Sequence, residues 1–197
     1  AVAAFMANAS RAAGGWREID RKVVAVYSAA AVPFAALGAR TLVALDAHAV
    51  EGALGAFLIA SVPVRRWLLS RGFTIGLPGL AVVGAVIGFL TGIVASTGPI
   101  NTPFFIAYGL TKGAFLSTEA LGSAAIGLTK STVFQAMGVL TSETFLMGLL
   151  VGSALMLGSW LAKRIVQRMD ASQFKILLEA MMLAAGAWMI YAAVRGG

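Results

Sequence analysis

The sequence predicts an all-α fold: a polytopic bundle of transmembrane helices built as two inverted repeats, with a broken, re-entrant, glycine-rich helix. Three observations predict it. Of 197 residues, 59% are hydrophobic and 12% charged, with a mean hydropathy of +0.89, whereas soluble domains are about 45–50% apolar and about 25% charged. Apolar runs of about 20 residues, the length that crosses a bilayer, recur between short charged clusters. One long uncharged run is interrupted by proline and glycine. A soluble fold of this size could not hide so much apolar surface, so lipid must cover the remainder.

The elements follow in order. The tail of a first segment runs from Ala1 to about Ser10, and a charged loop with Arg11, Arg17, Glu18, Asp20, Arg21 and Lys22 follows it. The second segment spans about Val23 to Leu45, with Pro33 and Arg40 inside. The third spans about Ala47 to Leu69, with Arg65, Arg66 and Arg71 at its end. From Gly72 to Thr111 there are 40 residues without a charge. As one straight helix they would reach about 60 Å, twice the hydrocarbon thickness, so the run must fold back. The breaker is the stretch Ala95 to Pro103, where Gly98, Pro99 and Pro103 fall within six residues. A helix restarting near Thr102 and Pro103 is expected, with threonine as cap and proline in the first turn. Further segments cover about Ala114 to Met137, Thr144 to Val166 and Gln173 to Val194. Asp170 and Gln173 read as a capping pair opening the last. Gly84, Gly88 and Gly92, and likewise Gly148 and Gly152, recur every four residues, a spacing that lets helix backbones approach in lipid. Trp16, Trp67, Trp160 and Trp188 are expected at segment ends or headgroup depth.

An internal repeat organises these segments. Leu37-Gly38 and Asp46-Ala47 recur as Leu157-Gly158 and Asp170-Ala171, at offsets of 120 and 124 residues. Residues 76–197 then form a complete second unit. Residues 1–75 form a first unit without its first broken helix, and a counterpart of 76–111 is expected upstream. Charge decides the orientation. If every segment crosses, the basic residues divide eight to six. If Gly72–Thr111 returns to its own side, the division becomes twelve to two, with Arg40 and Arg195 opposite and Lys130 within the membrane. A strong bias is what inner-membrane proteins carry. It favours the hairpin, with the twelve charges cytoplasmic and the units inverted, an architecture that places a transport site at the helix break.

The break frees backbone polar groups at membrane depth, which only protein or a water-filled cavity can satisfy. Its second half-helix would present N–H groups and partial positive charge, suited to an anion. Ser96, Thr97, Gly98, Asn101 and Thr102 are the candidate substrate-binding residues, with Pro99 and Pro103 fixing the break. Lys130, an ionisable residue inside a span, is expected to supply the balancing charge. Glu119, eleven residues before it, is a candidate for carrying a coupling proton.

Other classes fare poorly. There is no cysteine, and the single histidine, His48, excludes any two-histidine metal motif. No set of residues fits an enzyme's catalytic constellation, so neither enzyme nor resident metal or cofactor is expected. The net charge of +7 sits in clusters between apolar runs, not in a soluble patch, so the expected partners are a small anion and the lipid bilayer, not nucleic acid.

The stretch from Gly88 through Gly92, Gly98 and Pro99 to Pro103 resembles the glycine-rich motif of the sulfite exporter TauE/SafE family, with Ala95 and Thr97 where glycine is usual. So does the succession after it: Ser123 to Gly127, a Leu-Gly helix, a basic loop and a final apolar helix. The resemblance implies a two-repeat carrier for sulfite, sulfonates or other small organic anions. The alternative is a structural or assembly subunit of the membrane that transports nothing; flux of a labelled anion separates the two.

Overall fold

The computed structural model describes residues 1–45, 47–94, 97–110, 112–166 and 171–195. Among them are eight α-helices and no strand: α1 (Val2–Gly14), α2 (Arg21–Ala44), α3 (Ala47–Ser70), α4 (Leu77–Ile93), α5 (Gly98–Tyr108), α6 (Lys112–Ala136), α7 (Ser142–Val166) and α8 (Ala171–Arg195). A short 3-10 turn, Trp16–Glu18, links α1 to α2. The Asp20 side chain caps α2, accepting from the backbone N–H groups of Lys22 at 3.0 Å and Val23 at 3.1 Å. Gly109 closes α5 with φ 109° and Gly138 follows α6 with φ 71°, both left-handed positions that favour glycine. Of the expected capping pair, Asp170 and the side chain of Gln173 lie outside what is described, as do the side chains of His48 and Trp160.

Helix directions follow from contacts between named residues. Gly84 and Gly92 of α4 lie against Tyr27 and Ala35 of α2, so these helices run parallel. Asp20 N donates to Thr118 Oγ1 at 2.9 Å, and further along Tyr27 meets Gly122, so α6 is parallel to α2. Val2 meets Gly148 and Met6 meets Gly152, so α1 is parallel to α7. Phe5 lies on Gly127 while Arg11 reaches back to Glu119, so α1 is antiparallel to α6. Gly52 faces Ala193 and Arg66 pairs with Glu179, so α3 is antiparallel to α8. α5 runs back along α4: Ile75 N donates to Ala107 O at 3.1 Å, and the Phe73 and Phe104 rings meet at 5.9 Å. Residues 73–107 therefore form a helical hairpin whose two ends meet.

The core lies where α2, α4, α5 and α6 converge. Val23, Tyr27, Ala31, Ala35, Leu80, Ile87 and Phe105 are buried there, with the Tyr27 and Phe105 rings edge to face at 5.1 Å. Small residues on α2 and glycines on α4 let the two backbones approach: a β-carbon at Gly92 would lie 2.5 Å from Ala35 O. The outside is apolar, with Leu146, Leu150 and Leu157 of α7 and Met181, Trp188 and Val194 of α8 exposed. Among the described residues, Arg21–Ala44 and Ser142–Ser159 are long and apolar enough to cross a membrane, and Leu77–Ile93 is a shorter apolar helix.

Candidate functional site

The chain breaks between α4 and α5. α4 ends at Ile93, just before the breaker expected from Ala95, and α5 begins at Gly98, not at Thr102. Thr97 holds the N-cap position, its carbonyl accepting from Ile100 N at 2.9 Å and Asn101 N at 3.1 Å. Pro99 falls in the first turn, where a missing N–H costs nothing. That one proline suffices to start the helix, so Pro103 sits inside α5, buried.

Several grooves of about 340–510 Å³ run through the bundle, and one of them is lined by Thr91, Ile93 and Thr97 at the break. That cavity has a volume of about 470 Å³, and α1, α2, α3, α4, α6 and α7 all contribute to its wall. Its polar lining includes Asn8, Thr91, Thr97, Ser123 and Lys130. Lys130 is buried and its ammonium donates to Thr91 O at 3.3 Å and Val94 O at 3.1 Å, with the Phe134 ring 5.4 Å away. These carbonyls end α4, where no further turn of helix supplies N–H donors and the helix carries partial negative charge. An ammonium has three N–H donors. Two go to the end of α4, and among the described residues the third has no acceptor, on a lysine that lines the cavity.

Hydroxyls surround this group. Thr91 Oγ1 donates to Ile87 O at 2.7 Å and pairs with the Thr97 hydroxyl. Ser123 Oγ donates to Glu119 Oε1 at 2.6 Å, and Glu119 Oε2 takes an ion pair from Arg11 at 3.1 Å. Asn8 accepts from the same arginine through its carbonyl, leaving its amide N–H groups as donors.

The expected site residues thus divide. Thr97 and Lys130 share the cavity, and Glu119 lies outside its wall, bonded to the lining residue Ser123. Asn101 is buried elsewhere: its amide and the Tyr27 hydroxyl lie 3.0–3.1 Å apart, tying α5 to α2. Thr102 sits half-buried in α5 outside the cavity wall. Ser96 lies outside the described residues, and Gly98 and Pro99 are described by their backbone alone. Asn8, Thr91 and Ser123 are additions. Ser123 had a signal: Glu119, Ser123 and Lys130 stand at i, i+4 and i+11, one face of a helix. Asn8 and Thr91 had none, because single neutral polar residues within apolar helices are common.

Helices throughout the described residues, an apolar exterior and a buried lysine at an internal helix break are features of a membrane protein with a polar site inside it. The family model described as Sulfite exporter TauE/SafE matches residues 1–189, and the chain belongs to that family. It is a family of membrane transporters, not enzymes. No curated protein and no solved structure gives a significant match.

Proposed function

We propose that this chain carries small anions, sulfite and related sulfonates or organic acids, across the cell's inner membrane, with the anion held beside Lys130 in the cavity at the helix break. The observation that carries the reading is the buried ammonium facing that cavity with one donor to spare. A desolvated anion there gains a charge-assisted hydrogen bond from Lys130. The Thr97 hydroxyl can turn from Thr91 toward it, the Asn8 amide can donate, and α5 opens its partial positive end at the same break. Glu119, buried between Arg11 and Ser123, is the group placed to carry a coupling proton along the same helix face.

The packing supports two inverted repeats, 1–75 and 76–197. α2 and α7 begin 121 residues apart (21 and 142), and α3 and α8 begin 124 apart (47 and 171). Exchanging these counterparts turns the α1–α7 packing into α6–α2, both of which occur and both of which are parallel. Phe5 touches Gly127, 122 residues on, and α3 lies on α8; in each pair the counterparts are antiparallel. Equivalent helices that meet antiparallel are related by a two-fold axis perpendicular to them, which in a membrane lies in its plane. The same directions bring the loops at 11–22 and 65–71 and the end of α7 to one end of the bundle. The hairpin of 73–107 closes on that end too, which favours the twelve-to-two division of charge.

Uptake of labelled sulfite by proteoliposomes of the full-length protein tests the function. Saturable flux, competed by sulfonates and not by glucose, is expected; flux no greater than in protein-free liposomes would remove the proposal.

A further inference from the structure

We propose that Arg65 holds the phosphate of an anionic phospholipid whose acyl chain lies in the groove between α3, α4 and α5. This site is separate from the cavity beside Lys130 and does not depend on which anion is carried.

Three arginines close α3, and their environments differ. Arg66 is paired with Glu179, and Arg71 stacks over Trp67 at 5.0 Å. Among the described residues Arg65 has neither: its Nε and Nη1 are buried with no hydrogen-bond partner. Two guanidinium nitrogens cut off from water with no acceptor are unfavourable, because each has lost its hydration without a hydrogen bond in return. An anion supplied from outside the chain resolves this. Phosphate suits a guanidinium well, since the planar fork matches two of its oxygens.

The groove says which phosphate. It has a volume of about 340 Å³, and its walls are apolar: Phe57 and Val64 of α3, Val82 and Val86 of α4, Phe104 of α5. Val64, Val82 and Val86 are exposed, so the groove opens sideways to the apolar exterior and not into the bundle. Along α3 it extends from Phe57 past Ser61 to Leu68, toward the arginines. Arg65 does not itself line the groove; it follows Ser61 by four residues, one helical turn nearer the basic end of α3. A free phosphate or sulfite has no use for an apolar channel below its binding group. A phospholipid does, with its chain along α3 and its headgroup at the basic end. Basic pockets between helices at the cytoplasmic face are where anionic headgroups bind.

The test compares phosphatidylglycerol with phosphatidylcholine of the same chains, added to the purified full-length protein in neutral detergent. Bound lipid is counted by native mass spectrometry, and melting is followed in parallel. Wild-type protein is expected to prefer phosphatidylglycerol by about tenfold or more, the value of charge-assisted bonds to a desolvated phosphate, and to melt higher in its presence. Arg65→Gln should erase the preference and the melting shift, yet melt no lower than wild type without lipid, because an unpaired buried charge has been removed. Arg65→Lys should keep part of the preference. Ala60→Phe, which fills the groove, should weaken both lipids. An unchanged preference in Arg65→Gln overturns the proposal. So does wild-type protein that melts alike in the two lipids, a result that needs no variant to fold. If Arg65→Gln loses sulfite uptake while its lipid preference is intact, the guanidinium serves the transported anion and the proposal is wrong.

Discussion

Removing one oxygen at the junction of α2 and α5 isolates what anchors the broken helix. Tyr27 is fully buried and Asn101 is 1% exposed, and the phenol and amide lie within 3.0–3.1 Å of each other. Tyr27→Phe leaves the ring contact with Phe105 in place but orphans the amide of Asn101. An unsatisfied buried polar group costs about 1–3 kcal/mol, more than the net worth of the bond itself. Asn101→Leu orphans the phenol instead and should cost a similar amount. The double variant, Tyr27→Phe with Asn101→Leu, leaves nothing unpaired, so its loss should be smaller than the sum by about 1 kcal/mol or more. The assay is unfolding of purified protein in mixed micelles titrated with SDS, read for all four members of the cycle. Strictly additive losses would refute the reasoning, since they would mean that the two groups do not depend on each other.

Other outcomes follow from the same geometry. Cysteines introduced singly at Ser142 and Ser172 in this cysteine-free chain should label from opposite sides of the membrane; labelling from one side contradicts the hairpin and the inverted repeat together. Gly92→Val should lower the yield of monodisperse protein and cost about 1–3 kcal/mol by forcing α4 off α2, whereas Gly158→Ala, where a β-carbon meets open space, should behave as wild type. Glu119→Gln should uncouple uptake from an imposed proton gradient while flux down the anion's own gradient continues; gradient-driven uptake that persists removes Glu119 from coupling. Arg66→Ala should destabilise more than Glu179→Ala, because the carboxylate it deprives of this partner is buried, whereas the arginine left by Glu179→Ala has a side chain 60% exposed to solvent; equal losses on melting would speak against it.

Much of the helix plan was legible in the sequence, because apolar length and charge clusters alone mark segments in lipid. Starts and ends agreed to within a few residues, from α2 at 21–44 to α8 at 171–195. The break was legible from Gly98 and Pro99, but its limits were not. The last carbonyls of α4 are satisfied by Lys130, 36 residues past Val94, and no local pattern reports that. Asn101 looked like a substrate ligand because a buried amide at membrane depth needs a partner. The partner is Tyr27, 74 residues away on a helix that carries no polar motif. The pairing of Arg11 with Glu119 spans 108 residues and was equally hidden. What the sequence did carry was the face of α6, where Glu119, Ser123 and Lys130 align by helical spacing alone.

Sulfite uptake by Lys130→Gln in proteoliposomes tests the central claim most directly, with Lys130→Arg beside it and both confirmed monodisperse. Removing the charge that the cavity offers should lower uptake about tenfold or more, the value of a charge-assisted bond in a desolvated site, while arginine should restore part of it. Wild-type uptake by Lys130→Gln at every pH would contradict the account and reduce Lys130 to a cap on the end of α4.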